Sequence, residues 1–330
     1  MYAVRWCDNM RIRLSYGSLT LLGFRNSRLN EIPTTIYAIL GDRCRGNCVY
    51  CEQRTGGNKL GMVTWYDVPV EEFIERLSKT YGNFYRVCFE VLYYDNFVDE
   101  LAEITKMIKN VRRDLLVSAT VVAISEDDLR KLKSAGLDSL GIGLDAASKR
   151  VFDKVKGGKI NPEFIWSDFW ITMQRAKRYF KEVTAHIIVG LGETDLELYR
   201  AFNAIKNLGA KIALFNYVCP GGRRKCGVRA PRYHAIQIMR YLVEKGAGFF
   251  DFTDSRLSRI YIPEEYISDI MQGLPFMTSG CTYCNRPYYT EHPLGHMYNY
   301  PRRPKPQEIA KIFMEVGKYA ELVKIPEGGI

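Results

Sequence analysis

The stretch Thr35-Ile36-Tyr37-Ala38-Ile39-Leu40-Gly41-Asp42-Arg43-Cys44-Arg45-Gly46-Asn47-Cys48-Val49-Tyr50-Cys51 joins a β-rich run to a loop with cysteines spaced C-x3-C-x2-C. Three thiolates this close can wrap one corner of a cubane and ligate three irons of a [4Fe–4S] cluster. Gly46 and Asn47 tolerate the tight backbone such a wrap needs. The fourth iron then has no protein thiolate, and an open coordination position is what catalysis requires. A zinc site would be expected to bring a fourth Cys or His nearby, yet no histidine precedes His186. Bland core cysteines would not be separated by Arg45, Gly46 and Asn47.

Outward from this loop the chain alternates short β-rich runs with helical patterns. Strands are expected at Thr35–Leu40, Arg86–Tyr94, Leu115–Ile124, Ser139–Leu144, Val183–Val189 and Lys211–Val218. Ser125-Glu126-Asp127-Asp128 and Thr194-Asp195-Leu196-Glu197 fit the capping-box pattern that starts a helix. Phe97, Leu101, Ile104 and Ile108 recur at helical spacing, and Gly136 and Gly209 fall where helices would stop. Six β/α units in series imply a parallel sheet. The expected fold is therefore α/β, a partial (β/α)6 TIM-like barrel over residues 35–220 with its functional loops after the strand C-termini. An N-terminal segment, 1–34, precedes it. After the basic turn Gly221-Gly222-Arg223-Arg224-Lys225, the pattern shows a helix near Tyr233–Lys245 and a run Phe249–Ile262. The rest of the extension, 221–330, reads as irregular.

Composition sets the outer bounds. A hydrophobic share of 47% with 25% charged residues excludes disordered and collagen-like classes. No apolar run approaches the roughly 18 residues that span a bilayer. Arg5, Asp8, Arg11 and Arg13 break any signal-peptide core, so a cytoplasmic address and no membrane partner are expected. In that reducing compartment nine cysteines read as metal ligands or core residues rather than disulfides. Cys7 has no neighbour in sequence and reads as bland. The net charge of +10 favours an acidic partner without naming one.

The triplet, with Tyr50 before its last cysteine and its place after the first strand, resembles the signature of the radical S-adenosylmethionine (SAM) enzymes. That resemblance implies the family's partial barrel and a [4Fe–4S] cluster with an open iron. It also implies bound SAM, cleaved to a 5′-deoxyadenosyl radical after one electron arrives from a donor such as a ferredoxin. Leu144-Asp145 resembles the position that binds the adenosyl ribose in biotin synthase-like members; the bland alternative is a helix cap. Gly190-Leu191-Gly192-Glu193-Thr194 resembles the Gly-Leu-Gly-Glu-Thr segment of the same members, the alternative being an ordinary turn before a capped helix. The resemblance thus implies that Asp145, Gly190, Gly192 and Glu193 contact the cofactor. The family's Gly-Gly-Glu segment has no counterpart in Phe89-Glu90-Val91-Leu92-Tyr93-Tyr94.

A second pair, Cys281-Thr282-Tyr283-Cys284, is a half-site for zinc or for an iron–sulfur cluster. Cys219 and Cys226 flank the basic turn after the sixth strand. Folding the C-terminal segment back over the barrel mouth would group them with Cys281 and Cys284 as four sulfurs of an auxiliary cluster. His292 and His296 offer a zinc alternative, C-x2-C-x7-H-x3-H. Biotin synthase holds its auxiliary cluster with cysteines on the second, third and fifth strands plus an arginine. Cys88 resembles the first of these and could equally be a buried strand cysteine. Ser118, Ala119 and Thr120 occupy the third strand, and Thr184 the fifth-strand position.

Leu14-Ser15-Tyr16-Gly17, Pro33-Thr34-Thr35 and Cys284-Asn285-Arg286-Pro287-Tyr288-Tyr289 resemble subunits of the archaeal two-component lipoyl synthase. The implied activity is sulfur insertion at an unactivated carbon of an octanoyl chain on a carrier protein, with the auxiliary cluster as sulfur donor. The implied partners are that acylated carrier and a second radical SAM subunit. Other radical SAM chemistries, such as RNA methylthiolation or small-molecule biosynthesis, are the alternatives, as is a non-catalytic iron–sulfur or zinc protein. Basic residues such as Arg302 and Arg303 are scattered and no RNA-binding module is appended, which argues against a nucleic-acid partner.

Overall fold

The computed structural model describes residues 10–221, 226–293 and 295–326; Cys7 and residues 222–225 of the basic turn lie outside them. Nine strands form one curled sheet: β1 (Arg11–Ser15), β2 (Thr35–Leu40), β3 (Lys59–Leu60), β4 (Val63–Pro69), β5 (Arg86–Val91), β6 (Leu116–Val121), β7 (Ser139–Asp145), β8 (Glu182–Val189) and β9 (Lys211–Asn216). Their spatial order is β3-β4-β1-β2-β5-β6-β7-β8-β9. The six expected strands are β2 and β5 to β9, and each neighbouring pair among them is parallel. Every residue of β2 is buried, as a parallel strand covered on both faces requires. The sheet is the partial barrel that the β/α alternation implies.

Helices α1 (Tyr16–Leu21), α2 (Val70–Lys79), α3 (Phe97–Val111), α4 (Glu126–Ser134), α5 (Lys149–Val155), α6 (Trp166–Tyr179) and α7 (Asp195–Asn207) connect these strands. Ser125 and Thr194 cap α4 and α7 with both halves of the capping box formed. Phe97, Leu101, Ile104 and Ile108 of α3 are buried against the sheet. No helix among the described residues is long and apolar enough to cross a membrane.

The segment before Thr35 joins the sheet, since β1 pairs antiparallel with β2 and β4. Arg11 and Arg13 hide this strand in the sequence. Arg13 is nevertheless buried, because its guanidinium donates to the carbonyls of Gly41 (3.1 Å) and Gly57 (3.2 Å).

The C-terminal extension is more regular than its composition suggests. It holds α8 (Ala230–Lys245), β10 (Phe249–Thr253), β11 (Arg256–Pro263), α9 (Glu264–Met271), α10 (Pro306–Val316) and β12 (Glu321–Ile325). β12 pairs parallel with β11, a strand nearly 60 residues earlier, so no local pattern could reveal it. Asp195 ties the extension to the barrel, accepting from Leu257 N (2.9 Å), Tyr319 Oη (2.6 Å) and Arg232 Nε (2.8 Å).

A parallel bridge between Met277 and Tyr300 closes a long loop, residues 278–299. Its tip enters the barrel at the N-terminal ends of the strands. Thr282 N donates to Glu182 Oε1 (2.9 Å), Arg86 Nε donates to the Thr282 carbonyl (3.2 Å), and Lys211 Nζ reaches Thr282 Oγ1 (3.0 Å). Thr35 Oγ1 donates to the Tyr283 carbonyl (3.2 Å). Arg86, Glu182, Lys211 and Thr35 are the first residues of β5, β8, β9 and β2. Gly280 makes the entry sterically possible: a Cβ there would lie 2.8 Å from Ala213 Cβ, and its φ is +111°. The sequence placed Cys281 and Cys284 over the opposite, catalytic mouth; the charged latch at the strand starts draws them to the base instead.

The latch has a pH signature. Burial opposes ionisation of Glu182, yet bonds from Lys211 and Thr282 outweigh it and hold the carboxyl down to about 2. A depressed native value gives stability that is complete above the unfolded pKa near 4.3 and drains as pH falls toward 2. Glu182→Gln is expected to lower the Tm by several degrees at pH 7, with the gap from wild type closing below about pH 4. Thermal unfolding at stepped pH values checks this; a gap independent of pH overturns it.

Candidate active site

At the C-terminal ends of the strands, the loop after β2 places Cys44, Cys48 and Cys51 on one wall of a cavity of about 200 Å³. Backbone bonds to neighbouring loops fix it: Arg45 N donates to the Tyr93 carbonyl (2.7 Å) and Val49 N to the Val155 carbonyl (2.9 Å). Asn161 supports it from the side, its Oδ1 accepting from Asn47 N (2.7 Å) and its Nδ2 lying 3.8 Å from Cys48 Sγ. Burial, reinforced by Cys48, pushes the Cys51 thiol up to about 12, and burial likewise raises Cys48. Thiols gathered this way become thiolates only when a bound cation shares the sulfurs. The donor set fits a cluster of the kind its spacing implies.

Asp145 ends β7 on the same cavity with φ +65°, a left-handed conformation that costs a non-glycine residue energy. Its Oδ2 accepts from Tyr50 Oη and from Lys156 Nζ (2.6 Å). Lys156 is almost fully buried and also donates to the Gly143 carbonyl. Burial works against its charge, but Asp145 and Cys48 beside it raise its pKa overall. Asp145 is no helix cap, because the cap of α5 is Ser148.

The loop after β8 gives a different outcome for its three residues. Gly190 and Gly192 have φ +110° and +107°, which side chains rarely adopt. Glu193 turns its carboxylate under its own loop, accepting from Gly190 N and Leu191 N (both 2.8 Å) and from Arg232 (3.0 Å). None of the three lines the cavity. Glu193 was expected to contact the cofactor; instead its two oxygens are spent on holding the turn.

Beneath this cavity lies a second chamber, lined by Cys88, Cys281, Cys284 and Arg286. Cys281 Sγ is 3.5 Å from Thr184 Oγ1, and Cys284 Sγ is 3.4 Å from Tyr37 Oη. Burial, with Cys284 adding to it, pushes the Cys281 thiol up to about 11, and burial raises Cys88 well beyond the ordinary thiol value. Arg286 lies 4.1 Å from the Phe215 ring and donates to the Ser279 carbonyl (2.8 Å). Tyr283, Arg286 and Tyr288 all have positive φ, strain that persists only where surrounding structure imposes it.

The expected four-sulfur group does not form. Cys219 lines the upper cavity and is joined to Cys226 as a disulfide, while Cys281 and Cys284 stand in the lower chamber. The third sulfur there is Cys88. The reading of the nine cysteines as free of disulfides is corrected at the same pair. The C-x2-C-x7-H-x3-H alternative also fails, because His296 turns to His234 and Glu315.

Glu90, Thr120 and His186 line both cavities and form the layer between them. Burial raises Glu90 to about 7, against the pull of Arg286 and Thr120. Burial and the positive charge of Arg286 push His186 down to about 3, so its ring is neutral. Its Nε2 lies 3.3 Å from Thr120 Oγ1. Sequence reading missed Lys156, Glu90, His186 and Arg286 as site residues. Only Arg286 carries a local signal, its place two residues after Cys284.

Residues 38–205, half of the chain, match the Radical SAM superfamily. Biotin synthase of Renibacterium salmoninarum is 28% identical over 182 residues, covering 54% of this chain and 51% of that protein. Biotin synthase 2 of Frankia casuarinae is 27% identical over 181 residues, covering 54% and 48%. The chain thus spans about half the length of these curated relatives. A maturase of the [FeFe]-hydrogenase has a similar fold, with a TM-score of 0.54, 12% identity, and coverage of 94% of this chain and 59% of that one. Methylornithine synthase matches with a TM-score of 0.52 and 12% identity, over 69% and 66%. The matched stretch contains the cysteine loop, the second half of β2 and all of β5 to β8, and on that ground the chain belongs to the radical SAM superfamily.

Proposed function

We propose that this chain inserts sulfur at an unactivated carbon, as a lipoyl synthase-type enzyme acting on an octanoyl chain attached to a carrier protein. One observation carries the reading: three thiols and an arginine converge inside the barrel, directly below the cavity that holds the first triplet. Biotin synthase-like members use strand cysteines for an auxiliary cluster. Here β6 and β8 offer Ser118 and Thr184, and the loop from the base brings Cys281 to Thr184. The tail thereby supplies the sulfur that the strands lack, and Arg286 supplies the arginine.

When bound, the first cluster and SAM supply a 5′-deoxyadenosyl radical, and an auxiliary cluster supplies sulfide. An unactivated C–H bond has no acidic proton, so no side chain here can replace that chemistry. Cys44, Cys48 and Cys51 would hold the first cluster. Asp145, fixed by Tyr50 and Lys156, would orient the adenosyl ribose by accepting from its hydroxyls. Cys88, Cys281 and Cys284, with Arg286, would hold the second cluster. Glu90, Thr120 and His186 would form the floor under the reacting carbon, close to both sulfur groups as group transfer requires. A ferredoxin-type electron donor, the acylated carrier and a second radical SAM subunit are the partners this reading calls for.

Three outcomes are expected of the anaerobically reconstituted enzyme. Replacing Cys44, Cys48 and Cys51 together with Ala abolishes 5′-deoxyadenosine formation; undiminished cleavage overturns the reading. Replacing Cys281 and Cys284 with Ala lowers iron to about that of one cluster. That variant still forms 5′-deoxyadenosine but makes no sulfur-containing product, whereas zinc at this pair in the wild type overturns the sulfur-donor role. Asp145→Asn raises the SAM concentration for half-maximal cleavage about tenfold or more, the scale of a lost charged hydrogen bond; an unchanged value removes Asp145 from the cofactor site.

A further inference from the structure

A group of ligating side chains stands apart from both sulfur sites. His234 on α8, His296 on the returning limb of the 278–299 loop, and Glu315 on α10 bring three ligand atoms together. His234 Nε2 lies 3.3 Å from His296 Nε2 and 3.4 Å from Glu315 Oε2, and His296 Nε2 lies 3.5 Å from the same oxygen. Four ligands at the Zn–N and Zn–O distances of about 2.0–2.1 Å form a tetrahedron with edges of about 3.3–3.4 Å. The triangle matches one face of it.

Hydrogen bonding leaves these atoms facing each other without enough protons. His234 is fully buried, and its Nδ1 is 2.8 Å from Gln237 Oε1. An amide oxygen only accepts, so Nδ1 carries the hydrogen and Nε2 presents a lone pair. Gln237 is held in that orientation because its Nε2 donates to the Tyr298 carbonyl (2.9 Å). Glu315 Oε2 is buried and has no hydrogen-bond partner. A single proton on His296 Nε2 would have to serve both His234 Nε2 (3.3 Å) and Glu315 Oε2 (3.5 Å), whereas one cation among the three satisfies every atom.

We propose that His234, His296 and Glu315 bind one Zn²⁺, with a water completing the tetrahedron. Two imidazoles and a carboxylate without thiolate suit zinc, and Gln237 is the outer partner that orients His234. The three ligands come from three segments, so the ion clamps the returning limb of the loop to α8 and α10. It thereby holds from outside the same loop whose tip carries Cys281 and Cys284. The proposal does not depend on the sulfur-insertion reading.

The test is metal analysis of the anaerobically reconstituted enzyme after equilibration with Zn²⁺ and desalting. Wild type is expected to retain about one zinc per chain. The Cys44/Cys48/Cys51 and Cys281/Cys284 variants should retain it too, while His296→Ala loses it and the Tm gain that zinc gives wild type. Because His296 packs against the His234 and Tyr298 rings and its loss could disturb folding, His296→Cys is the companion variant. It should keep the metal and, loaded with Co²⁺, show a thiolate-to-metal absorption band that wild type lacks at this site. Absence of retained zinc in wild type overturns the proposal. So does zinc that survives in His296→Ala or disappears in the Cys281/Cys284 variant.

Discussion

The seat of the second sulfur group depends on one buried ion pair at the base of the barrel. Arg86 opens β5 almost completely buried, and its guanidinium bonds Glu182 at the start of β8 (2.9 Å), Ser139 and the Thr282 carbonyl. A buried charge pair of this kind is poor evidence of stability, because desolvation consumes most of the Coulombic gain. It is strong evidence of position. Removing any member would leave a charge or a carbonyl without a partner, so the loop tip has one favourable seat.

That seat gives the barrel a vertical order. A cysteine triplet stands on the loops at the strand C-termini, and a second set of thiols rises from the strand N-termini. The layer between them is neutral or poised: His186 is uncharged, and Glu90 is pushed up to about 7 because burial outweighs the pull of Arg286. A radical generated above and a sulfur source below would be separated only by that layer. The ion pair Asp145–Lys156 faces the upper cavity, and although burial works against the lysine's charge, Asp145 and Cys48 raise its pKa overall.

Outside the barrel, the loop is held at both ends of its course. The Met277–Tyr300 bridge closes its neck, and the histidine–glutamate group meets its returning limb. Strained residues at the tip, Tyr283, Arg286 and Tyr288, are tolerated because these anchors flank them.

The local grammar of the chain was legible from end to end of the barrel. Burial on both faces forces parallel strands into continuous apolar runs, so β2 and β5 to β9 announced themselves, as did the capping boxes of α4 and α7. The cysteine triplet was legible because its three thiols sit within eight residues of one loop. Tertiary structure alone decided what long separations assemble. It seated Cys281 and Cys284 at the base beside Cys88, joined Cys219 to Cys226, and folded Glu193 inward. It also recruited Arg13 into β1 and set Lys156 against Asp145. The physical reason is common to all of these: a buried polar side chain must find its partner wherever the fold brings one, and spacing in sequence carries no record of that distance.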